Sequence, residues 1–400
     1  MLVDLLLLAS AVLAVGYVAV ARPFDRAPLS LPLVALLAGV ALGPWGAGVL
    51  DVPSLAEDPE ALEHPLRILL ALSVMGVALR YPVHAFRSVA RPVLLLLLVV
   101  MPVMAVVTGV LAWATLGMPL AAAALVGAAC SPTDPVLASS VVTGAPAERD
   151  VPARTRQIVS AESGANDGLA LPVVLVALAV AGATSGAQAA LDALREVGGA
   201  VVLGVLAGAA TGLALRRAED HRVSSHGPRL VVTALLALGV LGASGVLRLD
   251  GVLASFVAGL AFNAAATGPD RTQDVEVDEA VNKVAVLPLF LVLGAELPWQ
   301  QWADFGAGAV LLVLGALVLR RLPIVLLLAR PLGLGWPQAA FAGWFGPVGV
   351  SALFYAVLEH READVSAEVV AAVMLVVVAS TVVHGVTTLP GRRLLARATN

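Results

Sequence analysis

In the stretch AESGANDGLALPVV, residues 161–174, Ser163, Asn166 and Asp167 stand at positions i, i+3 and i+4. On a helix that spacing puts all three on one face. The surrounding segment is apolar enough to lie in a bilayer, where a central charge costs at least about 2.5–3.5 kcal/mol and so must meet a partner or a watery cavity. Three oxygen-bearing side chains at that depth suit a hard cation, because their oxygens can replace part of an alkali ion's water shell. Ser and Asn also hydrogen-bond membrane helices to one another, but a contact of that kind does not need Asp167.

A second constellation lies in AACSPTDPVLASS, residues 128–140, where Pro132 and Pro135 bracket Thr133 and Asp134. Each proline removes a backbone donor and frees a carbonyl one turn back, which predicts a break in the helix. The stretch AGWFGPVGVSALFYA, residues 342–356, predicts another break at Gly346, Pro347 and Gly349. Broken helices at mid-membrane depth expose carbonyls and half-helix ends for ion binding. Asp134 and Asp167 also admit an intramembrane aspartyl protease, two carboxylates sharing one proton, although the glycine-x-glycine-aspartate signature of such proteases does not fit. A passive cation channel and a carrier of another solute stay open, with no repeated filter loop to favour the channel.

The elements that position these residues are membrane helices. Of the 400 residues, 60% are apolar and 13% charged, against a charged fraction of about 25% in soluble domains. The expected fold class is therefore an all-α polytopic membrane protein. Hydropathy divides it into about thirteen segments, each near the 20 residues that a span needs. They run over 1–21, 28–49, 65–82, 91–116, 119–142, 153–182, 196–216, 229–247, 250–266, 280–296, 305–330, 336–358 and 366–390. The two broken segments are the fifth and the twelfth; an odd offset of seven relates them by inverted topology. A single transmembrane domain over 1–400 follows, with repeat one in 1–182, repeat two in 229–390 and a short tail at 391–400. Asp4 occupies the place of a basic leader region, so the first segment reads as a retained helix.

Arginines gather in the odd-numbered loops, among them Arg149, Arg154, Arg156, Arg216, Arg217 and Arg222, while the even loops hold only Arg67, Arg195, Arg248 and Arg361. Because basic loops resist translocation, the N-terminus is expected outside and the tail in the cytoplasm. The acidic loop DVPSLAEDPEALEH then faces outward and GPDRTQDVEVDEA inward, both as solvated connectors. The net charge of −4 carries no nucleic-acid signal, and the lone Cys130 excludes an internal disulfide and a cysteine metal cluster. Deep in the segments lie Asp134, Glu162, Asp167, Arg320, Arg321 and His384; Lys283, Glu296 and Asp304 fall near segment ends, where long side chains reach water. His384 is either a packed, hydrogen-bonded residue or a proton relay. The small-residue face GVLAGAATGLAL, 204–215, reads as close helix packing or a dimer surface.

SPTDPV and ESGANDG, taken with FVAGLAFN (256–263), PLFLVLGAEL (288–297) and GWFGPVGVSALFYA (343–356), resemble the monovalent cation:proton antiporter-1 family of NhaP-type Na+/H+ exchangers over roughly residues 30–390. The resemblance implies a carrier and not an enzyme, with Na+ and H+ as cargo, no cofactor and no resident metal. It makes Asp167 the ion and proton carrier, where the alkali cation would sit, with Ser163, Thr133, Asp134 and Asn166 completing or adjoining the site. It pairs Glu162 with an arginine of the eleventh segment, Arg321 by spacing or else Arg320. It further implies a homodimer in the cell membrane and a sliding, elevator-like motion. Val348 stands where many relatives carry a basic residue, which bears on whether Na+, Li+ or K+ is preferred. Electrogenic members of the wider fold have an aspartate where this chain has Asn166, so electroneutral exchange is expected, and K+/H+ exchange is the alternative.

Overall fold

A computed structural model describes residues 2–19, 30–51, 59–220, 229–266, 287–363 and 366–399, and among them every regular element is helical. The principal helices are α1 (Leu2–Ala19), α2 (Leu31–Leu42), α3 (Pro59–Arg80), α4 (Ala90–Leu116), α5 (Leu120–Ala129), α6 (Pro135–Val142), α7 (Ala153–Leu169), α8 (Leu171–Val180) and α9 (Gly186–Asp220). They continue as α10 (Arg229–Leu247), α11 (Gly251–Ala265), α12 (residues 287–295), α13 (Ala307–Val318), α14 (Leu322–Leu327), α15 (Trp336–Trp344), α16 (Val350–Ala363) and α17 (Ala367–Thr399). Each of the apolar segments in the sequence contains helix. Four helices, Ala90–Leu116, Gly186–Ala218, Ala307–Leu327 and Ala367–Thr399, are long and apolar enough to cross a membrane by themselves, and α7 with α8 forms a fifth such unit bent by 41°. The outward surface exposes Leu98, Val106, Leu194, Leu206, Val246 and Leu327, which suits a lipid surrounding. Lys283, the loop GPDRTQDVEVDEA and Arg22, Arg26, Arg222 and Arg271 lie outside the described residues.

The helix ends follow from local chemistry. Proline at the first or second helical position starts α2, α6, α8, α14 and α15, where its missing N–H is no loss. Gly117, with φ of 67°, closes α4 in the left-handed conformation. A π-helical turn at Leu96–Val100 precedes Pro102 within α4; the proline lacks the donor that the regular ladder would use.

Contacts between loop regions join loops of like parity. Tyr81 donates to the Val142 carbonyl at 3.3 Å, and a side chain at Gly333 would meet Arg154; all four residues lie in odd loops or at the segment ends that border them. On the opposite face Arg361 pairs with Glu63, and Arg195 donates to the Leu247 carbonyl at 3.5 Å. Spans alternating in direction have this pattern.

The structure differs from the sequence expectation at several points. The sixth segment bends at Ala170, just past Asp167 and before Pro172. The seventh is longer, from Gly186. The last helix runs through Pro390 to Thr399, so the tail 391–399 is a helical continuation; buried Arg392 anchors it by donating to the Ser140 carbonyl at 3.2 Å. The face of Gly204, Gly208 and Gly212 is turned inward against Ala254, Ala258 and Phe262 of α11, which makes it internal packing and not a dimer surface.

Two of the quoted motifs turn out to be structural. In FVAGLAFN, Asn263 donates to the carbonyls of Ala78 and Tyr81 at 2.9 and 2.8 Å, covering the end of α3. In PLFLVLGAEL, Gly294 lies against Gly39 of α2, and a methyl group on either would strike the other helix's backbone at Leu36 or Leu291. Overpacking a contact of this kind typically costs about 1–3 kcal/mol. Gly294→Val is therefore expected to lower the unfolding midpoint of the detergent-purified protein; an unchanged midpoint would show that α2 and α12 do not cross so closely.

Candidate functional site

The fifth and twelfth segments unwind opposite each other, at residues 130–134 between α5 and α6 and at 345–349 between α15 and α16. Pro132, Pro135, Gly346, Pro347 and Gly349 all lie in or beside these stretches, which touch where the Asp134 amide donates to the Pro347 carbonyl at 2.9 Å. Four half-helix ends thus converge inside the protein. The starts of α6 and α16 present unpaired N–H groups, and the ends of α5 and α15 present unpaired carbonyls.

Asp134 serves both starts. One carboxylate oxygen accepts from Val136 and Leu137 at 2.7 and 2.9 Å, and the other accepts from Val350. A side chain at position 349 would collide with that carboxylate, so the close approach requires Gly349. Arg320 serves both ends, donating to the carbonyls of Cys130 and Gly346. A negative group at two helix N-termini and a positive group at two C-termini are each in the favourable sense for the helix dipole.

Arg321 takes the other direction. Its two terminal nitrogens lie 2.7 and 3.0 Å from the two oxygens of Glu162, a bidentate pair in which both side chains are almost wholly buried. Its Nε donates to the Ala342 carbonyl at 3.1 Å. The geometry separates the neighbours that spacing left as alternatives: Arg321 carries the ion pair, and Arg320 the carbonyls.

From Glu162 a chain of polar contacts leads to the carrier candidate. Asn166 Nδ2 donates to Glu162 at 3.0 Å and to the Thr133 hydroxyl at 2.7 Å. Thr133 and Ser163 are 3.0 Å apart. Because the Thr133 oxygen already accepts from Asn166, its own proton is available to Ser163. Asp167, completely buried one residue further along α7, has no hydrogen-bond partner on either carboxylate oxygen, and the amide oxygen of Asn166 has none either. Ser351, in the first turn of α16, lies beside the Asp167 carboxylate with its own hydroxyl unpartnered. Ser163, Thr133, Asn166, Asp134 and Asp167 are thus brought together. All of them are neutral or satisfied except Asp167.

Sequence reasoning missed three neighbours. Ser351 is one; another is Tyr355, whose hydroxyl donates to the Asp167 main-chain carbonyl. Both were visible as polar residues one turn apart in GVSALFYA. The third, Arg80, is buried at the end of α3 and donates to Ser160 at 2.8 Å. His384 sits with Nδ1 2.9 Å from the Ser380 carbonyl and Nε2 2.8 Å from the Trp344 carbonyl, a packing position that closes the end of α15. Among the described residues, no three His, Cys, Asp or Glu side chains gather to hold a resident metal. Both oxygens of Asp134 are engaged by backbone donors, which disfavours a proton shared with Asp167 as in a protease dyad.

Breaking a buried ion pair by removing one partner typically costs about 3–5 kcal/mol. Glu162→Gln and Arg321→Ala are each expected to depress the unfolding midpoint, and the double variant to lose less than the sum of the singles. Additive losses would show that the two residues do not act as a pair.

Comparison with known proteins identifies the family. The family model described as sodium/hydrogen exchanger, transmembrane, matches residues 9–391. The chain is 33% identical over 347 residues to Na(+)/H(+) antiporter 2 of Zygosaccharomyces rouxii, covering 83% of this chain and 43% of that protein. It is 32% identical over 313 residues to the Na(+)/H(+) antiporter of Saccharomyces cerevisiae, covering 74% of this chain and 32% of that one. The chain therefore spans less than half the length of these curated relatives. Among solved structures, the sodium proton antiporter MjNhaP1 from Methanocaldococcus jannaschii superposes with a TM-score of 0.76 over 99% of both chains at 20% identity, which shows a common fold. By the extent of the family match and its identity to these relatives, the chain belongs to the sodium/hydrogen exchanger family, a family of membrane transporters and not of enzymes.

Proposed function

We propose that the protein is a secondary antiporter that exchanges Na+, with Li+ and K+ as further candidate substrates, for H+ by alternating access at Asp167. The observation that carries this reading is a fully buried carboxylate with both oxygens unpartnered, amid Ser163, Thr133, Asn166 and Ser351. Protonated, Asp167 is neutral and tolerates its surroundings. Ionised, it needs a counter-charge, and a bound alkali cation supplies one with help from the neighbouring oxygens. Since either ligand satisfies the group and both cannot, each displaces the other.

Opening the site to one side of the membrane at a time turns that competition into exchange. The moving body holds the two crossed segments together with α4, α7, α8, α13, α14 and α17, bound to one another through Asp134, Arg320 and the Glu162–Arg321 pair. It slides against the remaining helices, which anchor a homodimer in the plasma membrane. The N-terminus lies outside and the C-terminus in the cytoplasm, as the arginine-rich loops favour. Residues 1–182 and 229–390 are inverted repeats in this reading, and the opposed breaks in the fifth and twelfth segments support a site at the repeat interface. The physiological role is pH and Na+ homeostasis.

Asn166 is neutral and donates to the Thr133 hydroxyl and to Glu162, which leaves Asp167 as the one titrating carrier. One cation then exchanges for one proton with no net charge moved, so the membrane potential, worth about 2.3 kcal/mol per charge per 100 mV, has no purchase on the equilibrium. In proteoliposomes containing a pH-sensitive dye, Asp167→Asn is expected to abolish proton flux driven by Na+, Li+ or K+ while leaving yield and oligomeric state intact. The wild-type flux should reverse at the same Na+ gradient with and without an imposed potential. Retained coupled flux in the variant would refute the assignment of Asp167, and a voltage-dependent reversal point would require a second charge carrier.

A further inference from the structure

Glu359 is a second buried carboxylate that the exchange cycle above does not use. It lies on α16 eight residues beyond Ser351, about 12 Å along the axis at 1.5 Å per residue. Its side chain is completely inaccessible, and neither oxygen has a hydrogen-bond partner. Ser351, Tyr355 and Glu359 follow one another at intervals of four, along one stripe of the helix. The first lies beside the Asp167 carboxylate and the second donates to the Asp167 main chain. The stripe therefore runs from the carrier to the end of α16 where Arg361 meets Glu63, the face that the topology places outside.

Nothing described neutralises Glu359. From α3 the charges nearest that end are Glu63 and Arg67, which form an ion pair together with Arg361. The packed stretches of α5 and α8 carry no ionisable side chain, and the thiol of Cys130 at the end of α5 is within electrostatic reach of Glu359. Glu368 at the start of α17 is exposed.

A carboxylate so placed is stable only when protonated or when a cation lies against it. We propose that Glu359 is a second binding station for H+ and monovalent cations, on the outer route to Asp167. Its exchange is balanced in itself: the protonated acid binds Na+ as the carboxylate and releases one proton to the outer solution. Each ion passes through the station in turn, so no charge is added to the cycle. The proposal rests on the antiport reading of Asp167 for its direction, but its chemistry is observable without transport.

The test is proton release on adding Na+, Li+ or K+ to the purified protein in weakly buffered detergent, since a cation displaces the proton of its ligand. Asp167→Asn silences the carrier. That variant is expected to keep part of the wild-type release, and Asp167→Asn with Glu359→Gln to lose it. Asp167→Asn with Glu359→Asp should keep some release, which separates a titrating group from a merely space-filling one. Complete loss of release in Asp167→Asn alone, or equal release from that variant and its Glu359→Gln double, would overturn the station and leave the carrier standing. No release from the wild type with any of the three ions would overturn both. Glu359→Gln is close to the neutral acid in shape and charge, and elution as the wild-type species on size exclusion confirms that it folds.

Discussion

Half-helix ends cannot stand bare inside a membrane. Two helices unwind at the centre of this protein and bring four such ends together, each with backbone groups that water cannot reach. The chain resolves them with two side chains, Asp134 across both N-terminal ends and Arg320 across both C-terminal ends. Much else follows from that arrangement. Residue 349 must be glycine because the Asp134 carboxylate occupies its side-chain position, and Gly346 makes the same allowance for Arg321. Val348, within the break, finds its acceptor in Ser380 at 2.8 Å, and His384 reaches the carbonyl at the end of α15.

Once the crossing is neutralised, the remaining charges can be assigned by their partners. Glu162 is held by Arg321 and Asn166, so both its oxygens are engaged by donors. Asn166 connects that pair to Thr133 and Ser163, which keeps the polar face of α7 in register with the unwound stretch of the fifth segment. Asp167 is the member of this group left without a donor. A polar frame around one unsatisfied carboxylate suits the reversible ion binding proposed for Asp167. The bend at Ala170 lies immediately beyond, where Asp167 would otherwise continue into an apolar helix.

Much of this was legible in the sequence because it depends on local spacing. The i, i+3, i+4 face of Ser163, Asn166 and Asp167 requires only helical periodicity, and the breaks require only proline and glycine chemistry. What spacing could not supply were contacts made across the fold. Arg320 and Arg321 are adjacent in the chain and point to opposite partners because the chain leaves regular helix at Leu319 and re-enters at Leu322, which no periodicity announces. The glycine face at 204–215 fitted either an internal or an external partner until α11 was found against it. Glu359 escaped notice because an acid one residue past an apolar segment reads as a solvated end, whereas the fold buries it completely. The tail looked polar and separate, yet one buried arginine, Arg392, carries the helix through Pro390.

The central claim is that proton and cation take turns at one carboxylate. Its most direct measurement is the initial rate of Na+ uptake into proteoliposomes across a range of Na+ concentrations, repeated at a series of pH values fixed on the side of entry. Competition for a single group predicts that the apparent KM for Na+ rises in proportion to proton concentration on the acid side of the titration, while the maximal rate stays constant. A maximal rate that falls with proton concentration at unchanged KM would place the proton on a different group, and would contradict the account.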